Sequence, residues 1–150
     1  MPIISAVNGP AWVHSEYVLI ADIVIASETA TFSDVPHLTF GINPGDGLQI
    51  VWEEAIGINR ARYFTLTQGT FTAAQAKEWG AVAEVLPQDQ VLARAHELGE
   101  TLAAKPQLLT RYAAITLRQR ISRRMAEGTA LGMALESLTA ANLAYLPQPQ

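Results

Sequence analysis

No cysteine occurs in the 150-residue chain, which excludes disulfides, thiolate nucleophiles and cysteine-based zinc sites. Charge is scarce as well: Asp, Glu, Lys and Arg make up 16% of the residues, against roughly 25% in soluble domains at large. Apolar residues reach 49%. Either the core is large for the length, or a partner subunit covers part of the surface. No apolar run attains the ~20 residues that a membrane span needs, because Asp22 and Glu28 interrupt the longest one. The first residues lack the basic stretch and small-residue cleavage site of a secretory leader. A net charge of −4 weighs against nucleic acid as the main partner. These absences lead us to expect one cytoplasmic, soluble, oligomeric domain, with neither membrane nor nucleic acid as partner.

What is present divides into a β-rich front and a helical remainder. Ile3 to Val7 reads as a buried strand stopped by Asn8-Gly9-Pro10, and Ser15 is a candidate N-cap for a short helix after it. Ile23 to Ala26 and Ala30 to Ser33 are two further β-prone runs. From Gly47 the period becomes helical: Leu48 to Ile56, then about Asn59 to Leu66, then a short helix from Phe71 to Trp79 closed by Gly80. Val82 to Leu86 alternates like a strand, and Pro87 ends it. Gln90 to Ala104 and Gln107 to Ala126 follow as amphipathic helices. Gly128 is expected to interrupt, and Ala130 to Leu146 forms the last helix before a frayed "PQPQ" tail. The first strand begins almost at Met1, where a buried strand needs neighbours on both sides; something upstream is expected to be missing.

Two short stretches hold most of the chemistry. "VPHLTFGINPGDG" places His37 ahead of Asp46, which is held between two glycines. An imidazole is the natural general base for water, and a carboxylate on its other nitrogen fixes the tautomer. The plainer account is that Asp46 caps the helix starting near Leu48, leaving His37 an ordinary loop residue. "AWVHSE" places His14 just before a helix N-terminus, where a donor can face developing negative charge; a turn histidine is the alternative. Trp12 beside it is a candidate pocket wall or a packing residue. Glu136 is the only charged residue from Ala130 to Leu146. A carboxylate in so apolar a helix must be paired or hold its proton more tightly, which suits either acid chemistry or a salt bridge across a subunit interface. Arg118, Arg120, Arg123 and Arg124 are best read as a solubilising cluster near a helix C-terminus, with coenzyme phosphates as the alternative. His96 reads as a solvated face residue. "GINPGDG" lacks the further carboxylates of a calcium loop.

"AVNGPAWVHSEYVLIADIVIASETATF", then "INPGDG", "ARYFTLTQGTFTAAQAKEWGAVAEVLP" and the helical tail resemble the crotonase (enoyl-CoA hydratase/isomerase) superfamily. The likeness is to its branch of 6-oxocamphor hydrolase-like β-diketone hydrolases, which carry a histidine where His14 stands. They also carry a His–Asp pair like His37 and Asp46, and a glutamate like Glu136 in the last helix. There are departures. "AWVHSE" replaces a Gly-Gly-Gly run and is one residue shorter, and Pro36-His37 replaces the Pro-Glu of hydratases. Glu16 keeps the place of the first hydratase glutamate. Members usually have on the order of a hundred more residues upstream.

The resemblance implies an α/β fold with a crotonase-like (ββα)n spiral core, N-terminally truncated: residues 1–87 as the partial core and 88–150 as a helical C-terminal oligomerisation region. Members assemble as trimers or paired trimers, so a homotrimer or hexamer is expected. The implied activity is hydrolysis of a carbon–carbon bond in a small dicarbonyl substrate. In it His37, oriented by Asp46, activates water, His14 steadies the enolate, Glu136 assists proton return and Trp12 lines the pocket. No metal or organic cofactor is required. Hydration or isomerisation of a CoA thioester through Glu16 is the alternative. A non-catalytic fragment or oligomerisation module is another.

Overall fold

A computed structural model describes residues 1–143. The "PQPQ" tail and the end of the expected last helix lie outside the described residues. Three parallel strands form the main sheet in the order β1–β2–β5, built from Ile4–Val7, Ile23–Ser27 and Glu84–Leu86. The β-branched run of β2 is the central strand and the most buried, paired from Ile23 with Ile4 and from Ile25 with Glu84. That is how a strand enclosed on both faces reads in sequence. β1 is an edge among the described residues, paired on one side only, and Ile3 before it is 56% exposed.

Between β1 and β2 the chain forms α1 (Glu16–Leu19). Beyond β2, β3 (Thr31–Phe32) pairs antiparallel with β4 (Phe71–Thr72). Phe71 to Thr72 is therefore strand, and the helix expected from Phe71 begins only at Ala73, as α5 (Ala73–Glu78). The cause is local: Thr72 is extended and its side chain accepts from the Gln75 backbone N–H, while Gln75 reaches back to the Thr72 N–H. Such a capping box starts a helix and cannot lie inside one. Burial does the rest, since Phe71 stacks on Phe32 with ring centres 5.3 Å apart. The quoted loop also contains a turn of helix, α2 (Pro36–Thr39), where proline's fixed φ suits the first helical position.

α3 (Leu48–Ile56) carries the core: Leu48, Ile50, Val51, Trp52 and Ile56 are all buried. Each such side chain contributes roughly 1.5–3 kcal/mol by leaving water. The buried Trp52 indole donates to Ser15 Oγ at 3.0 Å, which pins the residue next to His14. α4 (Ile58–Thr67) follows, then α5, β5 and α6 (Val91–Ala103).

The last element, α7 (Gln107–Leu143), is one continuous helix. Gly128 does not interrupt it. Glycine in a helix costs about 1 kcal/mol, but here its bare backbone fits against Ile50 of α3. One turn on, Gly132 and Gly45 approach so closely that a Cβ on either would overlap the other's carbonyl. The arginines consequently fall mid-helix rather than near its end. Arg118 pairs with Asp22, Arg124 with Glu53 at 2.7 Å and Arg120 with Glu54. They tie α7 to the front of the molecule, so the expectation of a helix-end solubilising cluster is corrected. His96 is exposed, as expected. Among the described residues no helix is long and apolar enough to cross a membrane.

Candidate active site

Four chain segments deliver six titratable side chains to one place. His14 and Glu16 come from the turn into α1. Asp34 and His37 flank the start of α2, Asp46 precedes α3, and Glu136 projects from α7. The α7 contribution follows from helix spacing, since residues three and four apart share a face. Gly132 packs on Gly45, and Thr139 Oγ1 accepts from the Asn43 N–H at 2.9 Å. Glu136 lies between these two anchors on the same face, so its carboxylate is held against the loop that carries Asp46. The glycine at 132 is what permits that approach.

His37 is 4% exposed. Its Nδ1 lies 2.7 Å from Asp34 Oδ1, and Asp34 is buried as well. Its Nε2 faces Asp46 Oδ2 at 3.7 Å, too long for a direct hydrogen bond. The pairing expected of His37 and Asp46 is thereby corrected. The two are neighbours, but the carboxylate bonded to the imidazole is Asp34. The signal was available in "DVPH", where a carboxylate three positions before a histidine at a helix start is within reach of the ring. Asp46 does two things at once. Its Oδ1 accepts from the Leu48 N–H at 3.3 Å, so the capping account holds for that oxygen, while Oδ2 turns to the histidines.

His14 has a different setting. Its Nδ1 is 2.9 Å from Glu16 Oε1 and 2.9 Å from Asp46 Oδ2, and its side chain is 40% exposed. The Nδ1–H is hydrogen-bonded to Glu16, with Asp46 Oδ2 beside it as a second negative neighbour, leaving Nε2 available to a substrate oxygen. Burial, the largest single influence, lowers its pKa, but hydrogen bonds and charge from Glu16 and Asp46 outweigh it and hold the pKa above the ordinary histidine value. Glu16 is raised in turn, first by its own burial and then by the charge of Asp46. His14 also has a left-handed backbone, φ 52°, a conformation uncommon outside glycine. Held by the buried Ser15–Trp52 bond, that local cost of order 1 kcal/mol is the kind that persists at functional sites.

The acceptors outnumber the donors. One oxygen each of Glu16, Asp34, Asp46 and Glu136 is buried without a hydrogen-bond partner among the described residues. His37, Asp46 and Glu136 each offer an atom within 4.8 Å of the others, as do His14, Glu16 and Asp46. These are donor types that a divalent cation accepts. The 2.9 Å contacts of His14 are equally hydrogen-bond distances, and a water or a substrate carbonyl bridging the two histidines meets the same geometry. The rings lie 6.0 Å apart, edge to face. Trp12, expected to line the pocket, is 48% exposed with its indole N–H donated to Thr31 Oγ1 at 2.9 Å. The hollow between Gln49, Ala61 and Leu66 is lined by none of these six side chains.

The chain belongs to the enoyl-CoA hydratase/isomerase family, whose model matches residues 1–143, and the fold is crotonase-like α/β with a helical C-terminal region. Among curated proteins it is 36% identical over 119 residues to 2,3-dehydroadipyl-CoA hydratase of Escherichia coli, covering 79% of this chain and 46% of that protein. It is 38% identical over 107 residues to a probable peroxisomal enoyl-CoA hydratase of Arabidopsis thaliana, covering 71% of this chain and 40% of that protein. Among solved structures it resembles a β-diketone hydrolase of the cyanobacterium Anabaena bound to (S)-3-oxocyclohexyl acetic acid. There the TM-score is 0.93 and the identity 51%, over 95% of this chain and 57% of that one. A mycobacterial enoyl-CoA hydratase superposes with a TM-score of 0.88 at 29% identity, over 97% of this chain and 65% of that one. The chain spans about half the length of the curated relatives it matches.

Proposed function

We propose that these side chains serve hydrolysis of a carbon–carbon bond in a β-diketone. The observation that carries the reading is the division of the two histidines. The buried His37 has an Nε2 toward Asp46 and Glu136 that makes no hydrogen bond among the described residues, while the half-open His14 is held toward its charged form by two carboxylates. A water near His37 Nε2 gives that nitrogen a proton, and its oxygen bonds to one carbonyl carbon. The bond from that carbon to the central carbon then breaks. Its electron pair is delocalised into the second carbonyl as an enolate, which a protonated His14 steadies through Nε2–H. The proton taken by His37 returns to the enolate carbon, with Glu136 as an assisting group, giving a ketone and a carboxylic acid, which ionises to the carboxylate by losing its proton to solvent. The substrate is its own electron sink, so the sequence of bonds closes without a further reactant. The 51% identity to a β-diketone hydrolase supports this reading over hydration of a CoA thioester, which the curated relatives' names favour.

Thioester hydration keeps one specific observation in its favour: Glu16 is buried, with its pKa raised by that burial, as a glutamate acid would need to be. Against it, the Glu16 carboxylate is engaged by His14. Two assays separate the readings, each with protein that includes any residues encoded in frame before Met1. Loss of a cyclic 1,3-diketone's enol absorbance, abolished by His37→Ala, is the expected result. Hydration of crotonyl-CoA with the diketone untouched overturns it.

A further inference from the structure

We infer that Asp34 is the positioning residue of His37, and that Asp46 belongs functionally to His14. The inference refines the diketone-hydrolase reading of the same site and rests on it for its chemical consequence, though not for its geometry. Asp34 is 2% exposed and His37 4% exposed, and the 2.7 Å contact between Oδ1 and Nδ1 is made where water does not compete. A neutral imidazole has one N–H. With Nδ1–H donated to Asp34, the lone pair must be on Nε2, the nitrogen that faces Asp46 and Glu136. That is the tautomer a base needs if the water is to lie on that side.

Asp46 cannot fix this tautomer. It sits at the other nitrogen, 3.7 Å away, and an anion placed opposite a lone pair is not held by it. Its Oδ2 has a nearer partner in His14 Nδ1 at 2.9 Å. Each histidine thus has its own carboxylate support.

The backbone keeps Asp34 in place. Ser33 donates its N–H to the Ala11 carbonyl at 3.1 Å and Val35 to the Trp12 carbonyl at 2.9 Å. Asp34 is therefore clamped on both sides to the strand-like segment that leads to His14. Pro36 then starts α2 and aims His37 back at it. Asp34 Oδ2 is buried without a hydrogen-bond partner among the described residues. A carboxylate buried that way is destabilising unless its charge is needed, and the imidazole is what needs it.

The test is the nitrogen chemical shifts of His37 by heteronuclear NMR, on the wild type, Asp34→Asn and Asp46→Asn. The expected result is Nδ1 protonated and Nε2 unprotonated in the neutral wild-type ring. Asp46→Asn should retain that tautomer. In Asp34→Asn it should be lost, because the amide N–H₂ can donate to Nδ1 and invert the preference. The same variant should lower kcat on the diketone by on the order of 10³–10⁴-fold with little change in KM, as loss of a tautomer-fixing carboxylate does elsewhere. If Asp34→Asn does not fold, the wild type and Asp46→Asn decide the matter alone. A wild-type ring protonated at Nε2, or inversion by Asp46→Asn, overturns the inference. The expected tautomer in a protein that leaves diketones untouched would retain Asp34's role and remove the hydrolase reading instead.

Discussion

The surroundings of His37 and His14 differ in ways that their sequence contexts conceal. Both histidines sit in short loops before a turn of helix, and their rings are 6.0 Å apart. One is enclosed with a single buried carboxylate at Nδ1; the other is 40% exposed, stacked on Tyr17 and flanked by Glu16 and Asp46. On the proposed reading, two copies of one side chain are thereby turned to opposite uses.

Several changes would break or sharpen that division. Outside His37 and Asp34, the largest effect is expected at His14 itself. His14→Ala removes the donor to the enolate and should lower kcat by about 10²–10³-fold, as loss of one oxyanion donor does; steady-state assay on the diketone decides it. Undiminished turnover would place the enolate elsewhere.

Gly132→Ala comes next. Its methyl would overlap the Gly45 carbonyl, and relief by shifting α7 should cost about 1–3 kcal/mol, read as a lowered thermal midpoint. Glu136 would move with the helix, so activity should fall by more than the lost stability explains. Gly99, in α6, has open space around it, and Gly99→Ala should instead stabilise by up to ~1 kcal/mol.

Asp46→Asn should lower the pKa of His14, because one of the two anions that raise it is gone; an NMR titration of the His14 ring shows it. The raised pKa has a consequence for stability. A group raised on folding contributes fully below its unfolded pKa, about 6.5 for histidine. That contribution fades as pH climbs through the folded value, and His14→Gln should remove this part of the profile.

The smallest effect concerns Glu16, also raised on folding. Its contribution is full below about 4.5 and is lost as pH rises through its folded value. The thermal midpoint of Glu16→Gln should therefore gain on the wild type between acid and neutral pH.

Elements whose pattern was continuous could be read from sequence. β2 declared itself through Ile23-Val24-Ile25, and α3 through apolar residues at helical spacing. Glu136 stood out because no other charge lies near it along α7, and the structure brings it to His37 and Asp46. What escaped depended on partners far away in the chain. The arginines of α7 looked like a solvated cluster until Asp22, Glu53 and Glu54 arrived from the front of the molecule. Gly128 looked like a helix breaker because its compensation is a neighbouring helix. The Thr72–Gln75 capping box was local and legible, but the apolar run around it dominated. Asp34 was overlooked for a similar reason: the glycine-flanked Asp46 drew the role that burial assigns to its neighbour.

The most direct test of the central claim is to incubate a cyclic 1,3-diketone with the protein, including any residues encoded in frame before Met1, in water labelled at oxygen. Wild type should open the ring and place one labelled oxygen in the new carboxylate, and His37→Ala should leave the diketone intact. An unopened ring with the wild type, or equal label incorporation by the variant, would contradict the assignment of His37 as the base.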